Sequence, residues 1–293
     1  MPKDRSGYRL TIVILLCVVV GITYMFFGKD NGTTPVRRVA ITLKKTFASA
    51  PAPEKPVGPS AASLAAMTQQ INTIIIQNSG IDISVSLIDL NTGQSEHYGV
   101  DDAFLAGSTA KILTAAYFLH QVETGHESLN ETINGHTAEY ELRQMIVISD
   151  DTSWEAINDH LGYNNLQDYG ESLGISDIEA DNNLLTSGDM ALVLQKLWGG
   201  SLLNGADSQL LLSDLKQANF RQFIVPAVPA TDTIYHKVGA YQDDVHDAAI
   251  ITHAQKGFVI VIFTNGHGLM NWPQRAATMQ GITKLALSTY FGQ

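Results

Sequence analysis

The chain of 293 residues is poor in cysteine, in charge and, over most of its length, in basic side chains. Its one cysteine, Cys17, excludes a disulfide framework and a thiolate metal site. Charged residues make up 16% against 45% hydrophobic, which excludes a disordered or fibrous chain and leaves a globular one. Bases are concentrated at the start: residues 1–60 hold nine Lys or Arg against three acids, a net of +6, and the remainder holds nine against twenty-six, a net of −17. A body so acidic does not displace counterions from phosphates, so nucleic acid is excluded as a partner. No repeat period of about 20 to 50 residues is visible, which excludes a solenoid. None of the nine histidines stands in an HExxH or other tight ligand spacing. His246 and His253, seven apart on an expected strand, face opposite ways. Neither a metal nor an organic cofactor is expected.

What is present begins with Leu10 to Phe27, eighteen residues without a charge, behind Lys3, Arg5 and Arg9. A bilayer needs about 17 to 25 such residues. Met25-Phe26-Phe27 stands where a cleavage site would place small residues, so a retained signal anchor is expected. Lys29, Arg37, Arg38, Lys44 and Lys45 beyond the run blunt the positive-inside signal. Residues 28–60 contain five of the nine prolines and read as a tether. The expected organisation is a cytoplasmic tail (1–9), a single transmembrane helix (10–27), a Pro-rich linker (28–60) and an extracytoplasmic domain (61–293) at the cell membrane. Nothing in the sequence fixes an oligomeric state.

Within that domain, Leu64, Met67, Ile71, Ile74 and Ile75 have helical spacing up to a turn at Asn78-Ser79-Gly80. Ile83, Val85 and Leu87 alternate with Ser84 and Ser86 as in a strand, and Asn91-Thr92-Gly93 turns into a second strand near Glu96 to Val100. Residues 108–178 read as mostly helical, with short loops at Gly125, Gly135, Ser149 to Thr152 and Gly162. Thr186 with Asp189 forms a variant capping box before the next helix, and another helix lies near Ser208 to Gln217. Strands return at 233–238, 246–252 and 258–264, and a closing helix spans 272–290. Two strands, many helices, three strands and a helix predict an α+β fold: an antiparallel sheet of about five strands, closed by sequence-distant partners, with a helical subdomain inserted.

Ser-x-x-Lys occurs twice, at Ser108-Thr109-Ala110-Lys111 and Ser213-Asp214-Leu215-Lys216. Residues three apart share a helix face, so an amine can reach a hydroxyl at this spacing, but the spacing alone is common. Only the first copy opens a long apolar helix and is followed by Ser149-Asp150-Asp151 at a helix junction and Lys237-Val238-Gly239 on a strand. With these three motifs in order, residues 63–293 resemble the penicillin-recognising serine hydrolases, most closely the class A β-lactamase-like family. Met145 to Asp150, Thr186 to Ala191 and the run from Ile224 to Lys237 share that family's texture.

The resemblance implies Ser108 as nucleophile, Lys111 as base and Ser149 as proton shuttle. It implies Lys237 as the substrate-carboxylate ligand, and the amides of Ser108 and Ala240, beside Gly239, as oxyanion donors. Lys111 must be neutral to accept a proton, and burial plus the Lys237 cation are expected to depress its pKa. Two positions depart from the family. Val238 replaces a Thr, and Asp151, at a substrate-binding position, replaces an Asn and cannot donate an amide hydrogen bond. The expected substrate is a β-lactam or a peptidoglycan peptide. The alternatives are a D,D-peptidase or transpeptidase, and a wall-binding module without turnover. Glu179, four residues before Asn183, matches the spacing of the family's water-activating Glu, but only Leu184 and Leu185 separate Asn183 from Thr186, a loop short for reaching Ser108. The plainer readings are a capping Ser108, a capping Asp150, a solvated Glu179, a structural His236, and Trp154, Trp198 and Trp272 in core or interface.

Overall fold

Nine strands are found among residues 58–293, the part of the chain that the structure, a computed structural model, describes. They are β1 (Asp82–Asp89), β2 (Ser95–Gly99), β3 (Phe104–Leu105), β4 (Thr132–Ile133), β5 (His136–Thr137), β6 (Leu184–Leu185), β7 (Thr233–Tyr241), β8 (Asp244–His253) and β9 (Lys256–Asn265). Five make one antiparallel sheet in the order β2-β1-β9-β8-β7, so the first hairpin closes against the last strands in sequence, as expected. The expected tail, anchor and nearly all of the linker lie outside the described residues. Among the described residues no helix is long and apolar enough to cross a membrane.

Alternation along the central strands supplies two buried faces. Phe258, Ile260 and Ile262 of β9 pack under the helices Ala61–Gln77 and Trp272–Phe291, while Val259, Val261 and Phe263 point into the helical subdomain. Ile83, Val85 and Leu87 of β1 join the first cluster. Ser84 and Ser86 face the other way without reaching solvent, because both hydroxyls hydrogen-bond Ser187 Oγ at 2.7 Å. Polar alternation here marks a hydrogen-bonded helix contact instead of a wet face.

The capping box at Thr186 and Asp189 opens the helix Ser187–Trp198, and the next helix, Gly205–Gln217, starts three residues before its expected Ser208 on an Asn204 cap. Two departures concern the site. A five-residue π-helical stretch, Gln144–Ile148, ends on Ser149 in the left-handed conformation (φ 63°), a backbone state costly for a residue with a Cβ and typical of functional positions. Strand β7 holds Lys237-Val238-Gly239, as expected, and runs on to Tyr241, which takes Ala240 into the sheet as well.

Candidate active site

Ser108 occupies a 3-10 turn, Gly107–Thr109, that leads into the helix Lys111–Glu123. The first amides of such a helix lack intrahelical partners and favour negative charge beside them. Two glycines bring this turn onto β7. A Cβ on Gly107, whose φ is +53°, would meet Ala240 N at 2.9 Å, and one on Gly239 would strike Ala106 O and lie 2.9 Å from Thr109 N. Only backbone fits in that seam, so the Ala240 amide lies against the Gly107–Ser108 peptide.

Lys111, one turn on, is fully buried. Its Nζ donates to Ser149 O at 2.8 Å and to Asp151 Oδ1 at 2.6 Å, lies 3.4 Å from Ser149 Oγ, and stands 5.2 Å over the Trp154 ring. Burial pushes its pKa below the usual lysine value, and the Asp151 carboxylate works against that shift. Lys237 enters from β7, also buried, and donates to Ser149 Oγ at 2.7 Å and Val238 O at 3.2 Å. Burial first, then repulsion from Lys111, pushes the Lys237 ammonium down to about 7. The expected cation–cation effect is thus felt at Lys237, while Lys111 answers to desolvation and Asp151. Ser149 Oγ lies between the two amines and can accept from either ammonium or donate to either neutral amine.

The structure therefore gathers Lys111, Ser149, Asp151 and Lys237 into one hydrogen-bonded cluster and sets Ser108, Gly239 and Ala240 in the seam beside it. No hydrogen bond among the described residues yet joins the Ser108 hydroxyl to the cluster, which is common before a substrate is bound. Asp150 does what its plainer reading expected: Oδ1 accepts from Ser153 N at 2.7 Å and caps the helix Asp151–Leu161. His236 points to the opposite face of β7, where Nδ1 meets Asp247 Oδ1 at 3.0 Å. Val238 is buried with Ile224 and Ile234, so packing takes up the methyl that replaces a hydroxyl.

The loop before the capping box reaches further than its length implied. Asn183, with φ 55°, donates from Nδ2 to Gly107 O at 3.3 Å, next to Ser108, and its carbonyl accepts from Ala106 N. Glu179 is exposed, and its Oε2 accepts from Asn182 Nδ2 at 2.9 Å. It borders a crevice, also lined by Ala110, Thr114, Trp154 and Asn183, with about 20 Å³ open to water, room for roughly one molecule. Trp154 and Asn183 belong to the site but to none of its sequence motifs. Trp154 was recoverable as the residue one turn after Asp151 on the same helix face; nothing local in the sequence marks the reach of Asn183. Glu127, Glu131 and His160 come together away from this site, a grouping that sequence spacing did not show.

The profile of the Beta-lactamase enzyme family matches residues 66–290. The chain belongs to that family. As a family member it is a serine hydrolase, and the fold is that of the β-lactamases. Solved structures agree on the fold. PBP-A is similar with a TM-score of 0.71 at 20% identity over 78% of this chain and 97% of its own. A mutant of PBP-A in an acyl-enzyme complex with penicillin G gives 0.72 at 20% identity, over 78% and 98%. An ancestral class A β-lactamase gives 0.70 at 21% identity, over 76% of this chain and 100% of its own. No curated protein matches this member in sequence.

Proposed function

We propose that the protein is a membrane-tethered, extracytoplasmic acyl-hydrolase acylated at Ser108 by a β-lactam or a related cell-wall peptide. The observation that carries this reading is the Ser149 hydroxyl held between two buried amines, one of them three residues along from Ser108. Neutral Lys111 takes the Ser108 proton as Oγ attacks the carbonyl carbon, and the C–N bond then breaks as Ser149 passes a proton to the leaving nitrogen. The amides of Ser108 and Ala240 hold the oxyanion, where one such donor is worth about 10²- to 10³-fold in a serine protease. Lys237, when charged, holds the substrate carboxylate. A mutant of the similar PBP-A is known as an acyl-enzyme complex with penicillin G, which supports the choice of acyl donor.

Deacylation is expected to lag. Glu179, the candidate water-activating base, is exposed and bonded to Asn182 instead of to Ser108 or Lys111, and general-base help is commonly worth about 10²- to 10⁴-fold. Incubation with labelled penicillin and mass measurement of the intact chain should show one adduct, on Ser108, lasting well beyond mixing. A chromogenic β-lactam should give a burst of about one equivalent and then a slow phase. Fast linear turnover lost in Glu179→Gln would assign Glu179 the base. An adduct too long-lived for a hydrolase, with release of the terminal residue from wall peptides, would place the protein among the peptidases. One observation favours a module without turnover: the 2.6 Å contact of Asp151 with Lys111 holds the base as a cation, and that reading predicts no adduct. The topology is tested by adding protease to intact cells, which should release the C-terminal domain.

A further inference from the structure

Asp151 Oδ1 accepts from the buried Lys111 at 2.6 Å, yet the Asp151 side chain is itself 85% exposed, and no other hydrogen bond to it is found among the described residues. The second amine does not claim it, because Lys237 donates to Ser149 Oγ and Val238 O. A carboxylate offers two oxygens, both of them acceptors without a proton to give. Oδ2 is therefore free to accept. Its place makes it relevant to the substrate. Lys111 Nζ reaches both Asp151 Oδ1 and Ser149 Oγ, and Ser149 meets the leaving nitrogen in the acylation reading, on which this inference rests. Asp151 thus stands one side chain away from the bond that breaks.

A carbonyl oxygen brought to that place meets an acceptor that cannot donate, and an anionic group is repelled. The position selects a donor, and a charged donor makes the stronger bond. A cation there also removes a conflict inside the site. Acylation needs Lys111 neutral, whereas the Asp151 carboxylate favours the charged amine. When Lys111 gives up its proton, Asp151 is left without a counterion. An ammonium brought by the substrate takes over that pairing, and the neutral base then costs less. The remaining charged neighbours are spoken for: Asp150 caps its helix through Ser153 N, and Lys237 awaits the substrate carboxylate.

We infer that the site prefers zwitterionic acyl donors, with a carboxylate for Lys237 and, on the acyl side of the scissile bond, a primary ammonium that pairs with Asp151 in place of Lys111. Three penicillins test this, because they share a skeleton and a phenyl group and differ at one carbon beside the side-chain carbonyl. Ampicillin carries an ammonium there, penicillin G only hydrogen, and carbenicillin a carboxylate. Adduct formation on the full-length chain, followed by intact mass at pH 6, where Lys237 and the ampicillin amine are charged, should be about fivefold faster with ampicillin than with penicillin G. That factor is near the upper end for an exposed ion pair. Carbenicillin should be slowest, and in Asp151→Asn the spread should shrink to less than about twofold. Calorimetric titration of Ser108→Ala should give the same order of affinity, which reads the Asp151 pairing even where no adduct forms. Equal rates and affinities for the three, or a spread that persists in Asp151→Asn, would overturn this inference and leave acylation at Ser108 standing. No adduct from any of them, with the order of affinity kept in Ser108→Ala, would overturn the acylation reading and leave the pairing with Asp151 standing.

Discussion

Two tetrapeptides of this chain have the same form, Ser-x-x-Lys, and the structure treats them in opposite ways. Lys111 ends fully buried, with hydrogen bonds to Ser149 and Asp151 and a β-strand pressed against the turn that precedes it. Lys216 ends exposed on the outer face of the helix Gly205–Gln217, where Ser213 Oγ, among the described residues, hydrogen-bonds only the Gln217 side chain, at 3.3 Å. Asp214 and Leu215 between them are buried, so the second helix turns its Ser and Lys to solvent to keep its core contacts. The difference teaches that the spacing is permissive and the environment decisive. An amine becomes a base by losing water and gaining polar neighbours, and only the first copy has both.

The sharpest way to break the comparison is to remove each serine. Ser108→Ala should abolish the penicillin adduct while the thermal transition stays in place, and Ser213→Ala should leave adduct yield and rate unchanged. Loss of labelling in Ser213→Ala would reverse the assignment. The next largest effect is expected from Gly239→Ala. Its new methyl must strike Ala106 O, and overpacking of this kind typically costs about 1–3 kcal/mol. It should also open the seam that aligns the Ala240 amide with Ser108. Acylation should fall by at least an order of magnitude, far more than the loss of stability explains, as a comparison of labelling rate with the melting transition would show.

The fold was largely legible because the central strands and terminal helices obey simple periods: Phe258 to Thr264 alternates between two cores, and Thr186 with Asp189 announces a helix. Strand and helix ends were less legible. Ala240 and Tyr241 lie past the strand that the sequence suggests, and they are in β7 because β8 offers partners as far as Tyr241. Of the site, the sequence showed the three motifs and their order. It did not show that Asp151 bonds to Lys111, that Trp154 lies beneath the same amine, or that Asn183 reaches Gly107. Those contacts join residues 40 to 76 positions apart, or depend on the left-handed turn at Ser149, which no local pattern of Ile148-Ser149-Asp150 specifies.

A subtler alteration keeps both tetrapeptides and changes only what surrounds the first. Asp151→Asn removes the carboxylate that opposes the depression of the Lys111 pKa. Lys111 should then lose its proton at lower pH, so the acid limb of the acylation rate profile moves down and labelling at pH 6 speeds up severalfold. The neutral amide also restores a donor for a substrate carbonyl. An unmoved acid limb would mean that another group sets it.

The smallest effect expected concerns Lys237 and pH. With its pKa in the folded chain at about 7, Lys237 loses charge just where its role as carboxylate ligand needs it. KM for a penicillin should rise about fivefold between pH 7 and pH 8, and Lys237→Arg, always charged, should flatten that rise. The same residue sets a stability trend of known sign. Its pKa in the unfolded chain lies near 10.5, so between about pH 7 and 10.5 the unfolded state binds a proton that the folded state does not, and stability rises with pH across that window. Below pH 7 both states are protonated, and the cost of burying the charge is constant. Replacing Lys237 with Met should remove its share of the slope and raise stability most below pH 7, whereas Lys216→Met should change neither. Urea unfolding of the three proteins at pH 6, 8 and 9 reads both outcomes, and parallel curves for the native chain and Lys237→Met would show that the Lys237 pKa is not depressed.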